Sequence, residues 1–391
     1  MLRLAWAAHR TWSTSLDNLT HGLVGAALAK AGADRATPLA TTTLVLAANA
    51  PDIDVFSYTQ GEYFALAFRR GITHGLPALL VLPFVVTALV LAWDRGVRLR
   101  RRPDVEPARA GPLLLLSALG VVTHPALDWM NTYGIRWLVP FDGSWTYGDA
   151  LFIIDPWIWL VLGGAVFLSS APDRLGLFTW GLLGLVASLP LLAFPLPFAA
   201  KALWGAGLVM LVGLRILRHE TILRARPTVA RGALGAFAIY LMFMAGSDAL
   251  ARRDVRAAAQ AAGLDVVDLM VAPQPGHPLL SEVEVRTPTG FVPGSHHWLR
   301  SPRVELDPTD IVPLLEGPPG VTAARLGAIA EVAMQNQDVA NYLVWSRYPH
   351  VRLEPEGTSW WVRFSDARYD GRAGAGGLSG LRVRVTQEEL R

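Results

Sequence analysis

The sequence predicts a mainly α protein: a polytopic α-helical membrane domain over residues 17–250, followed by a small soluble α+β domain over 251–391. Three observations lead there. The chain is 52% hydrophobic and only 17% charged, which suits a protein solvated largely by lipid. Several apolar runs approach the roughly 20 residues that cross a bilayer. Beyond the last of them, short alternating segments punctuated by Pro and Gly take over.

Residues 1–16 are expected to be an N-terminal extension, because the apolar stretch 4–8 is too short for a signal-peptide core. The first apolar segment opens at Asp17-Asn18-Leu19-Thr20-His21-Gly22, where Asp17, Asn18 or Thr20 could cap a helix. Runs 23–31 and 38–50 are short for full spans and flank a turn at 32–35. The second run ends at Asn49-Ala50-Pro51-Asp52-Ile53-Asp54. Proline stops a helix, so Asp52 and Asp54 are expected on extended chain, where residues two apart point the same way.

Arg69-Arg70-Gly71-Ile72-Thr73-His74-Gly75 precedes 76–93, which is about one bilayer crossing. An arginine-rich loop over 94–110 leads to the run 112–129, which ends with His124 and Asp128. The polar, aromatic-rich stretch 131–155 suits the lipid–water interface. Four more apolar runs occupy 156–169, 175–194, 198–217 and 229–250. In the tail, 281–287, 359–364 and 381–385 read as strands and 323–343 as a helix. His296-His297 is expected at the surface, because strand neighbours point apart.

Cysteine is absent, which excludes disulfides, thiolate nucleophiles and cysteine metal ligands. The net charge is only +3, and the arginines cluster in loops between apolar runs. Membrane topology accounts for them, so membrane lipids are the expected partners and nucleic acid is not. The expected location is a bacterial cytoplasmic (inner) membrane, and the positive-inside rule orients the chain there with 94–110 inside. Alternation then puts His21, Asp52, Asp54, His74, His124, Asp128 and Asp155 at the outer face, and the soluble domain outside as well. Nothing in the counting requires that common face, so it argues for convergence.

His124 and Asp128, four apart, share one helical face and form half of a divalent-metal site. Ionisable groups at membrane depth are costly and are functional candidates by default. Nitrogen and oxygen donors without sulfur fit a divalent cation, zinc foremost, with manganese and iron as alternatives. Asp54 and Asp155 are candidates for accepting a proton or holding a second ion. Arg70 is a candidate partner for an anionic substrate oxygen. Each piece has a plainer reading. A histidine at a helix end is usually a cap, Asp-x-Asp is common in turns, Asp155-Pro156 is an ordinary helix start, and Arg69 and Arg70 could anchor at the interface. The shared face favours the metal site over these.

The blocks Asp17-Asn18-Leu19-Thr20-His21, Pro51-Asp52-Ile53-Asp54, Arg70-Gly71-Ile72-Thr73-His74, His124-Pro125-x-x-Asp128 with Tyr133-Gly134, and Ile154-Asp155-Pro156 together resemble the YdjM/YbcI-like family. Its members are described as membrane-bound, predicted metal-dependent hydrolases. The resemblance implies His21, Asp52, His74, His124 and Asp128 as metal ligands. Arg69 stands where members often carry His, and Gly75 where they carry Ser. The expectation is a metal-dependent hydrolase at the membrane interface, acting on a lipid-linked or phosphate-ester substrate. The alternative is a non-enzymatic membrane protein whose cluster holds a structural ion or lipid head group and whose soluble domain binds a partner. A transporter is disfavoured, because 175–192 and 203–214 are almost wholly apolar.

Overall fold

Hydrocarbon offers no hydrogen-bond partner, so a chain inside it must pair its own peptide groups, and the apolar runs fold as helices. The computed structural model describes residues 17–171, 173–193, 196–369 and 376–390; the expected N-terminal extension lies outside the described residues. Two short helices open it, α1 (Asp17–Lys30) and α2 (Ala40–Asn49). A 3-10 run, Ala50–Gln60, and α3 (Glu62–Phe68) follow. Among the described residues, five helices are long and apolar enough to cross a membrane: α4 (Leu76–Arg101), α5 (Ala110–Trp129), α7 (Arg174–Ala193), α8 (Phe198–Arg224) and α9 (Arg226–Ala261). Between α5 and α7 lies α6 (Pro156–Leu168). At 1.5 Å per residue it is about 20 Å long, less than the roughly 30 Å hydrocarbon core.

Asp52 and Asp54 are not on extended chain. Pro51 falls in the first turn of the 3-10 run, where a missing N–H costs nothing, so it starts a helix rather than ending one. Both carboxylates are buried on the inside of that run.

Close backbone contact sets the geometry of α1, α2 and α5. A Cβ on Gly25 of α1 would lie 2.7 Å from the Leu44 carbonyl oxygen, and one on Gly120 of α5 would lie 2.7 Å from the Ala47 Cβ. Small residues let helix axes approach in this way. His21 is one turn from Gly25 and His124 one turn from Gly120, so the same contact sets both imidazoles against α2. The opposite ends of these helices meet the basic loops. The Arg109 N–H donates to Thr37 Oγ1 at 2.8 Å, Arg231 Nε to the Ala31 carbonyl at 2.9 Å, and Arg226 pairs with Asp34 at 3.2 Å. The arginine-rich segments thus share one end of the bundle and the His/Asp blocks the other.

Helix α9 runs unbroken past residue 250 to Ala261, so its last turns belong to the tail. Ala251, Val255 and Ala259 pack with Leu269, Val271, Val283, Val285 and Val292. These last come from a five-stranded antiparallel sheet of β1 (Asp268–Gln274), β2 (His277–Arg286), β3 (Gly290–His297) and β4 (Val304–Leu306), with β5 (Val312–Pro313) also on β3. A second sheet has the order β6 (Leu315–Glu316), β7 (Pro349–Glu356), β8 (Ser359–Asp366), β9 (Leu381–Val385), with β6 parallel to β7. The expected helix over 323–343 is two helices, α10 (Ala323–Met334) and α11 (Gln337–Trp345). Asn336 breaks them, because its side chain accepts the Asp338 and Val339 N–H groups as an N-cap. His296 corrects a second expectation. It is fully buried, against Trp298 and 3.4 Å from Asp254, because its side of β3 faces α9.

The tail rests on the loops at the His/Asp end. Trp145 Nε1 donates to the Val344 carbonyl and Arg368 Nη1 to the Thr132 carbonyl, each at 2.7 Å. Buried Asp149 accepts from Arg347 at 2.9 Å and also bonds Arg252 of α9, which ties loop, helix and tail to one carboxylate.

Arg368 is held in turn by Asp366. Burial alone would raise the Asp366 pKa. The Arg368 guanidinium and hydrogen bonds from Ser346 and the Tyr348 N–H outweigh it and hold the group down to about 2, from an ordinary 3.8. A depressed folded-state pKa means stability that is complete above the unfolded pKa and lost as pH falls through the folded one. Between about pH 4 and pH 2 this group alone should cost the fold just under about 2 kcal/mol, the magnitude a shift of this size sets. In Asp366→Asn that acid-limb loss should shrink, at lower overall stability, as read by thermal unfolding in detergent across the same range.

Candidate metal centre

Five potential ligands arrive from four places in the chain. His21 comes from α1, Asp52 from the 3-10 run, His74 from the turn before α4, and His124 and Asp128 from one face of α5. Ligand atoms of His21, Asp52 and His124 lie within 4.8 Å of one another, and so do those of His74, His124 and Asp128. All five are buried, His74 and His124 completely. His74 Nε2 is 3.1 Å from His124 Nε2, and Asp128 Oδ2 is 3.2 Å and 3.5 Å from the same two atoms. Asp52 Oδ1 approaches them at 3.8 Å and 3.7 Å. The His21 ring stacks on His124 at 3.7 Å, with Nε2 3.4 Å from Asp128 Oδ1.

The outer nitrogens decide what the inner ones can do. His124 Nδ1 lies 2.6 Å from the Ala48 carbonyl, which can only accept, so the neutral ring keeps its proton there. His74 Nδ1 lies 3.3 Å from Asp54 Oδ2, with the same result. Both Nε2 atoms then point at one small space, beside Asp128 Oδ2. Facing lone pairs repel unless a cation sits between them. Histidine donating its far nitrogen to a carbonyl or carboxylate is the usual support for a metal ligand. Burial opposes charge on His74, but hydrogen bonds to Asp128 and Asp54 and their charge push its pKa up to about 9, from 6.5. The pocket therefore favours positive charge at that ring, carried by a proton or a metal.

Asp54 is a support rather than a ligand. Besides His74 it accepts from Thr73 Oγ1 and the Arg70 N–H, each at 2.9 Å, and from Arg69 Nε at 3.3 Å. Burial would raise its pKa; His74, Arg69 and the Arg70 N–H together hold it well below the usual carboxylate range. The Arg70 N–H bond helps keep that residue at φ 52, a left-handed conformation a side chain enters only under constraint. The Arg70 guanidinium is committed to Asp128 Oδ1 at 2.9 Å and Asn131 Oδ1 at 2.8 Å, and it lies over the Tyr133 ring. Arg69 is no interfacial anchor. It is buried between Asp52 and Asp54. Three carboxylates against two guanidiniums leave one negative charge, which a single divalent ion reverses by one.

Asp155 stands apart from the cluster. Its Oδ1 accepts the Trp157 and Ile158 N–H groups as the cap of α6, and its Oδ2 accepts the Tyr240 hydroxyl at 2.7 Å. The helix-start reading is the one its contacts match. Three participants carried no signal of this particular role. Asn18 bonds Asp52 Oδ2 at 2.7 Å, Asn131 bonds Arg70, and the buried Tyr133 hydroxyl has no hydrogen-bond partner among the described residues. Only proximity in space marks them.

Residues 16–196 match the family model of the YdjM inner membrane protein. That segment is a YdjM-family domain. It takes in every residue of the cluster and ends before the tail. An uncharacterised Bacillus subtilis protein, YfhP, is 28% identical over 153 residues, which is 37% of this chain and 43% of YfhP. The chain thus spans less than half the length of that curated relative. No solved structure matches.

Removing the Asp54 carboxylate would leave Arg69 half-paired and the Arg70 N–H without its acceptor in a dry site. Breaking one side of a buried ion pair costs about 3–5 kcal/mol. Asp54→Ala should therefore lower the unfolding temperature in detergent sharply and Asp155→Asn much less; equal effects would contradict this assignment.

Proposed function

We propose that the YdjM domain is a metal-dependent hydrolase working at the membrane–water interface, with a phosphate-ester substrate, lipid-linked or free. One observation carries the reading: the two Nε2 atoms of His74 and His124, their far nitrogens already anchored, face each other at 3.1 Å beside the Asp128 and Asp52 oxygens. His21, Asp52, His74, His124 and Asp128 would hold the ion, zinc first among the candidates for this nitrogen–oxygen set. When bound, such an ion supplies Lewis acidity toward a phosphoryl oxygen. Asp54 orients His74. Arg69 and Arg70 balance the carboxylates and keep the site electrically close to neutral, which suits an anionic ester. Asp128, bonded to Arg70, is held as an acceptor rather than as a proton donor. The bundle end opposite the arginines is the outer one by the positive-inside rule, so the cluster and the tail that packs on its loops are assigned to the extracytoplasmic side.

One observation favours a second reading. His74 and His124 are fully buried, as in closed structural sites. A structural ion would hold α1, α2 and α5 together and leave function to the tail.

The test is elemental analysis of purified protein together with phosphomonoesterase and phosphodiesterase assays. A stoichiometric divalent ion should co-purify. His124→Ala and Asp128→Ala should each lose it and lower hydrolysis by more than about 100-fold. Asp155→Asn should keep the metal. Wild type without metal sinks both readings; metal with no hydrolysis, and a lower unfolding temperature in the two variants, selects the structural ion.

A further inference from the structure

A half-open cavity of about 610 Å³ is lined by α1, α6, α7 and α8. That volume is within the roughly 300–1,000 Å³ of small-molecule sites. Its walls are almost entirely apolar. On α7, a Cβ at Gly181 or Gly184 would meet nothing within 4 Å, so these glycines open the groove. The polar atoms near its upper end are already paired: Trp204 Nε1 donates to Ser188 Oγ and Trp159 Nε1 to Thr20 Oγ1, each at 2.9 Å. Water gains no hydrogen bond from such a lining.

The groove lies in the layer of α7 and α8, both candidate spans. From Trp204 to Ile216 on α8 it runs about 18 Å, against about 15 Å for half of the hydrocarbon core. Its depth is that of one leaflet. Leu19 and Leu23, four apart on α1, face it, while His21 between them faces the cluster.

One charged group lines it. Arg215 sits at the lower end, where Nη1 donates to the Ser170 carbonyl at 2.5 Å and the guanidinium lies over Phe167. A guanidinium has five donors in a fixed fork, and these contacts engage one nitrogen. Ser170 follows α6 at the arginine-rich end of the bundle, which the positive-inside rule assigns to the leaflet where anionic lipids gather.

We propose that this groove is a binding site for one anionic phospholipid, its phosphate on Arg215 and one acyl chain along α8 toward Trp204. Hydrocarbon matches the walls, the depth matches one tail, and the single cation lies where a phosphate would be. The site is independent of any chemistry at the cluster.

The experiment is native mass spectrometry of protein purified in neutral detergent. It is offered equimolar phosphatidylglycerol and phosphatidylcholine with the same acyl chains. Wild type should retain phosphatidylglycerol over phosphatidylcholine by roughly tenfold, the worth of a charge-assisted hydrogen bond. Arg215→Gln should keep lipid and lose the preference. Gly184→Trp and, independently, Gly181→Trp fill the groove and should lose both lipids while unfolding as cooperatively as wild type. No head-group preference in wild type, or full retention in both tryptophan variants, overturns the proposal.

Discussion

The Asp54 carboxylate is the contact on which the YdjM domain's site depends. It holds Arg69, the Arg70 backbone, Thr73 and His74 at once. Each is a separate demand on the chain between the 3-10 run and α4, and together they leave that turn one conformation. The cost is a fully buried charge, which is stable only while its partners are complete. Pinning the His74 imidazole by its far nitrogen gives the near one a fixed direction. On the other side of the pocket the Ala48 carbonyl does the same for His124. The candidate metal centre is thus prepared by groups that are not among its candidate ligands.

Much of this was legible in the sequence and some was not. Apolar runs mark helices because lipid permits little else, so 112–129 became α5 with a small shift, and 76–93 became α4, which carries on to Arg101 and turns the first part of the expected loop at 94–110 into helix. The common depth of His21, Asp52, His74, His124 and Asp128 was legible because topology alternates, and alternation can be counted. The conformation of 50–60 was not, because a proline after an alanine reads equally as a stop or as the first turn of a new helix. Asn18 and Asn131 carry no pattern; they matter through neighbours 34 and 61 residues away. From sequence, Arg69 and Arg70 could be anchors and Arg70 a partner for a substrate oxygen; only the carboxylates facing them in space pair both guanidiniums within the protein. Asp155 shared the depth of the cluster without sharing its place, since depth is one coordinate of three.

The tail and the membrane bundle share interior contacts. Tyr133, which lies under Arg70, packs 5.6 Å from Trp345, and the Arg368 guanidinium also lies over that indole. A chain of stacked rings and guanidiniums therefore runs from the candidate ligands into the second sheet. The second sheet and the site loops thus share a packed aromatic contact.

The continuity of α9 past residue 250 has a consequence for what counts as a separable unit. Ala251, Val255 and Ala259 are the wall against which the first sheet closes. A fragment trimmed where the apolar run ends would leave Leu269, Val283 and Val285 facing solvent. The sheet-bearing tail of this protein borrows its floor from a helix that continues out of the membrane bundle.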